Sequence, residues 1–203
     1  MIDYLTIEKA LEIAKLKSKK RFPHVLGTYK KAIELANQYN INEKKVSIAA
    51  ILHDYAKNEP LDKMEMLLET IDPDLIQYNS VVYHGVVGSY LLQNKLKITD
   101  KDILLAVKNH VTGHPDMNDI AKIVYIADYT EDNRTHDGVD FCRYASKLSL
   151  DIGVLAISEA IFHYLHKISK KKIHPLTEAT YHHFLQKVGV KSYEIIKNNY
   201  QSM

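Results

Sequence analysis

Apolar residues recur at three- and four-residue spacing along almost the whole chain, as in Val25, Tyr29, Ala32 and Ala36, or Ile103, Leu104, Val107 and Val111. That period gathers them on one face of a helix. No alternating run carries a hairpin signal, and seven glycines and five prolines are too few to punctuate a set of short strands. The pattern predicts helical segments over roughly 3–19, 23–39, 42–56, 61–70, 73–79, 82–95, 99–111, 117–129, 138–147, 150–169, 175–188 and 191–200, some merging to leave about nine or ten helices. Asn42 is a plausible N-cap for the helix leading to His53, Thr99 with Asp102 resembles a capping arrangement, and Pro175 suits a first helical turn. The basic stretch Lys167 to Lys172 is the main break in texture. The expected architecture is all-α: one compact multi-helix bundle over residues 1–203, with a core of about 18–135 and C-terminal helices 138–203 packing on it.

Composition narrows the chemistry. A length of 203 residues suffices for one well-cored domain, and 46% apolar with 26% charged residues is ordinary for a globular protein. A formal charge of +2 gives no ground for a nucleic-acid or membrane-surface partner. The single cysteine, Cys142, rules out an internal disulfide and any Cys-rich zinc site. Met1 to Lys20 carries charges throughout and lacks the apolar core of a secretory leader, and no apolar stretch has membrane-spanning length; the expected compartment is the cytoplasm. Eleven histidines stand out, because imidazole is the commonest transition-metal ligand.

The most informative of these histidines is His53. It emerges with Asp54 from the apolar run Val46 to Leu52, with Lys57 three residues on. Such a run belongs in a core and carries its C-terminal end inward, yet Asp is almost never fully buried unless paired or bound to a metal. Four more polar residues sit beside apolar runs near predicted helix ends: His24 after Pro23, His84 before Gly85, His110 at the end of the 99–111 segment, and Asp128 after Ile123 to Ala127. Taken singly, each is more often a hydrogen-bonded histidine, a cap or an ion-pair partner than a ligand, and Lys57, Arg21 and Arg134 are each ordinary surface charges. Their number and order weigh the other way. Side chains from several helices can converge on one interior point of a bundle, and a set of imidazoles and carboxylates suits iron, manganese, cobalt or zinc.

The series His24, His53-Asp54 and Asp128 resembles the HD-domain phosphohydrolase superfamily. The segments Arg21-Phe22-Pro23-His24, Ala50 to Lys57, Tyr83-His84-Gly85, Asn109 to Met117, Tyr125 to Arg134 and Ile173 to Thr177 are similar to those of the bacterial symmetrical diadenosine tetraphosphatase family. The likeness spans about residues 8 to 190, and two positions depart from the family's pattern: Asp132 stands where proline is usual, and Val111 where threonine is usual. The resemblance implies that His24, His53, Asp54 and Asp128 bind a metal, most readily iron. His84 and His110 would complete a second metal position with Asp54 bridging, or contact phosphate and supply a general acid. It further implies hydrolysis of diadenosine tetraphosphate to two ADP. A bound cation would activate water, and Asp54, His84, His110 and Lys57 would serve catalysis. Arg21, Lys57, Asn109, Arg134 and His174 are the candidate nucleotide contacts beside the ligands themselves. Two alternatives stay open: an HD enzyme acting on a mononucleotide or deoxynucleoside triphosphate, and a non-catalytic module that binds metal and ADP. A Tyr- and Leu-bearing face near the C-terminus would suit a homodimer.

Overall fold

The computed structural model describes residues 5–168 and 172–203; the first two residues of the predicted 3–19 helix, the last of the 150–169 helix and most of the basic stretch lie outside them. Among the described residues there are eleven α-helices: α1 (Ile7–Lys17), α2 (Phe22–Tyr39), α3 (Glu43–Leu52), α4 (Leu61–Ile71), α5 (Tyr83–Lys95), α6 (Lys101–Asn109), α7 (Asp119–Thr130), α8 (Val139–Leu148), α9 (Leu150–Ile168), α10 (Pro175–Val188) and α11 (Val190–Gln201). Short 3₁₀ turns at Pro73–Gln77 and Ser80–Val82 join α4 to α5. The first of these replaces the helix expected over 73–79.

Local chemistry explains most of the boundaries. Thr6, Asn42, Asp100 and Asn118 accept backbone N–H bonds as N-caps of α1, α3, α6 and α7. The cap of α6 is thus Asp100 and not Thr99. Asn40 closes α2 in the left-handed conformation that asparagine tolerates.

The centre of the molecule is α3. Every residue from Val46 to Leu52 is buried, as expected of a helix that is apolar on all faces. It packs against α1, α2, α6 and α7, and α9 joins this core to α8 and α10 through α7. Truncating a fully buried member such as Ile51 to alanine would cost about 2–5 kcal/mol.

Sequence periodicity extends α3 to residue 56, but the helix stops at Leu52. The Ala50 carbonyl, which a continuing helix would give to the Asp54 N–H, instead accepts from His53 Nδ1 at 2.7 Å. The chain then runs through tight turns, with Tyr55 N bonding to Leu52 O, Lys57 N to Asp54 O and Glu59 N to Ala56 O. The same local competition ends α6 at Asn109, where His110 Nδ1 takes the Val107 carbonyl at 2.7 Å. Near the C-terminus, Tyr193 is buried and donates to Glu159, so the exposed apolar side chains of that face are Val190 and Ile195.

Candidate metal centre

Six side chains converge where α2, α3, α5, α6 and α7 meet. His24 lies in the first turn of α2, His53 caps α3 and Asp54 follows it, His84 opens α5, His110 caps α6, and Asp128 lies in the last turn of α7. His53 is fully buried, and Asp54, His84 and His110 are each no more than 6% exposed. Gly85 lets α5 and α6 approach closely enough to bring His84 and His110 together: a Cβ there would meet the Lys108 carbonyl at 2.7 Å.

The orientation of the rings follows from their Nδ1 atoms. His53, His84 and His110 each place Nδ1 on the carbonyl three residues back, Ala50, Val81 and Val107, at 2.7–2.8 Å. Nδ1 therefore carries the proton, and in the neutral ring Nε2 presents a lone pair. Those lone pairs all face inward. His53 Nε2 is 3.4 Å from Asp54 Oδ2 and 3.8 Å from Asp128 Oδ1. His84 Nε2 is 3.2 Å from Asp54 Oδ1 and 3.0 Å from His110 Nε2. His24 Nε2 is 3.0 Å from Asp128 Oδ1, while its Nδ1 is 3.3 Å from Glu131 Oε1.

Acceptors thus face acceptors across the centre. Buried polar atoms ordinarily find donors, yet Nε2 of His24 and of His53 are buried without a hydrogen-bond partner. A positive ion between them resolves the conflict. Two overlapping triads, His24–His53–Asp128 and His53–Asp54–His110, each bring three ligand atoms within 4.8 Å of one another. The donor set is nitrogen and carboxylate oxygen without thiolate, which fits a divalent transition-metal ion.

Charge is arranged to match. Burial alone would raise the carboxyl of Asp54, but His53 beside it and the imidazoles of His110 and His84 hold it well below the usual carboxylate range. Asp128 is likewise held down against burial, chiefly by His24. Burial, with His110 and Lys57 nearby, depresses His84 to about 4, so at neutral pH it is a neutral acceptor at Nε2.

One side of the centre opens into a cleft of about 210 Å³ whose rim carries Arg21, Lys57 and Arg134. Arg21 Nη2 lies 2.5 Å from Asp54 Oδ2 and Arg134 Nη2 2.8 Å from Asp128 Oδ1. Lys57 reaches within 3.5 Å of the His84 ring through the 54–57 turn and not through a continued helix. Beyond Val81, Val111 and Tyr129 the cleft runs into a larger groove of about 850 Å³ lined also by Tyr78 and His174, whose rings lie 4.7 Å apart.

Two residues singled out by sequence lie elsewhere. His174 caps α10 and lines the groove, not the cleft. Asn109, next to His110, lines a separate cavity behind α6. The residue that sequence reasoning includes in a matching segment, Tyr125 to Arg134, but gives no role is Glu131. It is buried, its Oε2 accepts from Asn133 N and Nδ2 at 2.9 Å each, and its Oε1 faces His24 Nδ1. Gly27 makes room for it, since a Cβ at that position would lie 2.2 Å from Glu131 Oε2. The signals available in sequence are its place in the Tyr125 to Arg134 segment and the spacing: Gly27 stands three residues after His24, and Glu131 three after Asp128.

Comparison with known proteins agrees with this geometry. The HD domain family model matches residues 21–133. The chain is 35% identical over 177 residues to the symmetrical bis(5'-nucleosyl)-tetraphosphatase of Bacillus subtilis (strain 168), covering 86% of this chain and 95% of that one. It is 33% identical over 180 residues to the protein of the same name from Halalkalibacterium halodurans, covering 87% and 96%. A crystal structure from Clostridium acetobutylicum, described as a predicted HD superfamily hydrolase involved in NAD metabolism, superposes with a TM-score of 0.82 at 30% identity, covering 90% of this chain and 98% of that one. The protein belongs to the HD-domain family. Among the described residues, no helix is long and apolar enough to cross a membrane.

Proposed function

We propose that this protein is a metal-dependent hydrolase that cleaves dinucleoside tetraphosphates symmetrically, releasing two ADP from diadenosine tetraphosphate. The observation that carries this reading is the pairing of two features in one cleft: inward-facing imidazole lone pairs with two carboxylates, and a rim of three cationic side chains. The names borne by the Bacillus subtilis and Halalkalibacterium halodurans relatives supply the substrate class.

His24, His53, Asp54 and Asp128 would hold the principal ion, for which we propose iron, with His84 and His110 beside Asp54 offering a second position. A bound cation supplies a water of lowered pKa and polarises the phosphoryl group under attack. The protein's own part is positioning and charge. Arg21 and Arg134, now on the carboxylates, and Lys57 on the same rim are placed to grip phosphate oxygens, the guanidiniums bidentately. Asp54 and Asp128, held ionised, keep the ligand set anionic. The leaving group is itself a phosphate with a second pKa of about 6, so charge neutralisation suffices for its departure. His84, whose Nε2 faces Asp54 and His110, is placed to act as a ligand.

The test is elemental analysis of the purified protein followed by product analysis with diadenosine tetraphosphate. Bound transition metal and ADP as the sole nucleotide product are expected. ATP with AMP, or no turnover after loading with iron, manganese, cobalt or zinc, would overturn the reading. Orthophosphate release from mononucleotides would favour an HD enzyme of different specificity, and tight ADP binding without turnover a non-catalytic module.

A further inference from the structure

Behind the C-terminus of α6, on the far side of that helix end from His110, lies a cavity of about 230 Å³. Its walls are largely apolar, with Leu75, Val86, Leu105, Met117 and Leu176 among them. Polar groups in the wall are mostly committed. Thr112 Oγ1 donates to the Gly113 carbonyl, and His114 Nδ1 accepts from Asp116 N. The Asn118 amide donates to Asp102 and accepts from Ala121 N, and His174 Nδ1 accepts from Leu176 N. Of the charged residues in the wall, Lys108 and Asp116 are exposed and Asp72 is partly buried.

Asn109 is the uncharged group of the wall left uncommitted. It is 6% exposed, and among the described residues its carboxamide has no hydrogen-bond partner. A carboxamide offers one acceptor and a pair of donors side by side. The carboxamide is not sealed off from the cavity that Asn109 lines, so it offers a ligand an edge that sets a donor next to an acceptor. The apolar walls call for a ligand with flat apolar faces. The volume falls short of the roughly 300 Å³ at which pockets for whole small molecules begin, so only part of a nucleotide would enter.

We propose that this cavity is an adenine site, with Asn109 pairing to the exocyclic amine and adjacent ring nitrogen of the base. Asparagine makes the same bidentate pair with adenine in nucleic-acid recognition. The cavity shares Val82 and His174 with the large groove, and the groove shares Val81, Val111 and Arg134 with the metal cleft. A nucleotide would therefore place its phosphates in the cleft, its sugar along the groove, and its base past His174. The assignment presupposes that the cleft takes a nucleotide.

The chemistry gives a specific reversal to look for. Asn109→Asp keeps the shape but turns the edge into acceptors only, which suits the ring N–H and amine of guanine and repels the adenine ring nitrogen. Dissociation constants of ADP, GDP and inorganic tripolyphosphate would be measured by calorimetry on metal-loaded protein. Wild type is expected to favour ADP over GDP by roughly tenfold, and Asn109→Asp to favour GDP by a similar factor. Tripolyphosphate, which has no base, should bind both alike. Leu105→Trp, a substitution at an exposed rim position, should fill the cavity and weaken ADP roughly tenfold while sparing tripolyphosphate. An unchanged ADP-to-GDP ratio in Asn109→Asp would overturn the base site; should that variant not fold, wild-type ADP affinity in Leu105→Trp would do so. If the ratio inverts but wild type turns over no dinucleotide, the base site stands and the hydrolase reading falls.

Discussion

Two clusters of charged and polar side chains tie the helices of this protein together, and they are built on opposite principles. Where α3 meets α6, Lys45 lies 2.9 Å from Asp100 and 2.6 Å from Asp102. Asp102 also accepts from Asn118, and Asp100 caps α6 through the N–H groups of Asp102 and Ile103. Each acceptor there meets a donor. At the His–Asp centre, imidazole lone pairs face carboxylate oxygens and one another, and two buried nitrogens have no partner. The first cluster is half-exposed and the second buried, but ionisation of the carboxylates is common to both: Asp100 too is held below its usual range, against burial, by Lys45 and by backbone N–H groups. What separates a structural cluster from a functional one is the set of imidazole nitrogens turned inward without donors, beside carboxylates already paired with Arg21 and Arg134.

The comparison breaks most sharply at Asp54. Asp54→Ala should lower turnover by roughly a thousandfold or more and remove bound metal, with helicity by circular dichroism retained. Adding cation at about a hundred times its Kd should stabilise wild type by about 2.7 kcal/mol against unfolding, and Asp54→Ala not at all. Full activity in a metal-depleted Asp54→Ala protein would remove the centre from the mechanism. Glu131→Gln comes next. It keeps an oxygen near His24 Nδ1 but replaces the carboxylate that fixes the ring's orientation, and a change at such an outer partner weakens metal binding about 10- to 100-fold. Competition with a chelator reads this directly; wild-type affinity in Glu131→Gln, set beside loss of metal in His24→Ala, would reduce Glu131 to a packing role.

These two residues also mark what sequence can and cannot say. The all-helical fold is legible because the apolar period is sustained and the caps are local. The centre is legible because His53-Asp54 and Asp128 end apolar runs that must be buried, so their polarity is conspicuous. Glu131 is hidden because its role exists only through contact with Gly27 and His24, more than a hundred positions away, and a glycine needed for clearance looks like any other. Asn109 lies apart from the metal cleft for a local reason. Read beside His110 it seems to share the site, but consecutive helical residues do not face the same way, and the two side chains open on different cavities. Lys57 reaches the cleft where a continued helix would also have sent it, by turns that the His53 ring imposes when it captures the Ala50 carbonyl.

Smaller effects sharpen the structural side. Lys45→Met should cost about 1–2 kcal/mol in urea unfolding, because Asp100 keeps its caps but loses its counter-ion, while metal affinity and turnover per folded molecule stay at wild-type values. A loss of metal affinity comparable to that of Glu131→Gln would mean the two clusters are coupled through α3 and α6. The smallest change concerns Glu59, which pairs with Lys17 at 2.6 Å and with Lys63 and is held at about 2 by those two ammonium groups. Its folded pKa is depressed, so its contribution is complete above its ordinary value of 4.5 and fades as pH falls toward 2. Both lysines are partly exposed, which limits that contribution to about 1 kcal/mol. Unfolding of wild type and Glu59→Gln should therefore differ by that amount at pH 7 and by much less at pH 3. A gap that persisted undiminished at the lower pH would assign the cost to packing of the side chain and not to its charge.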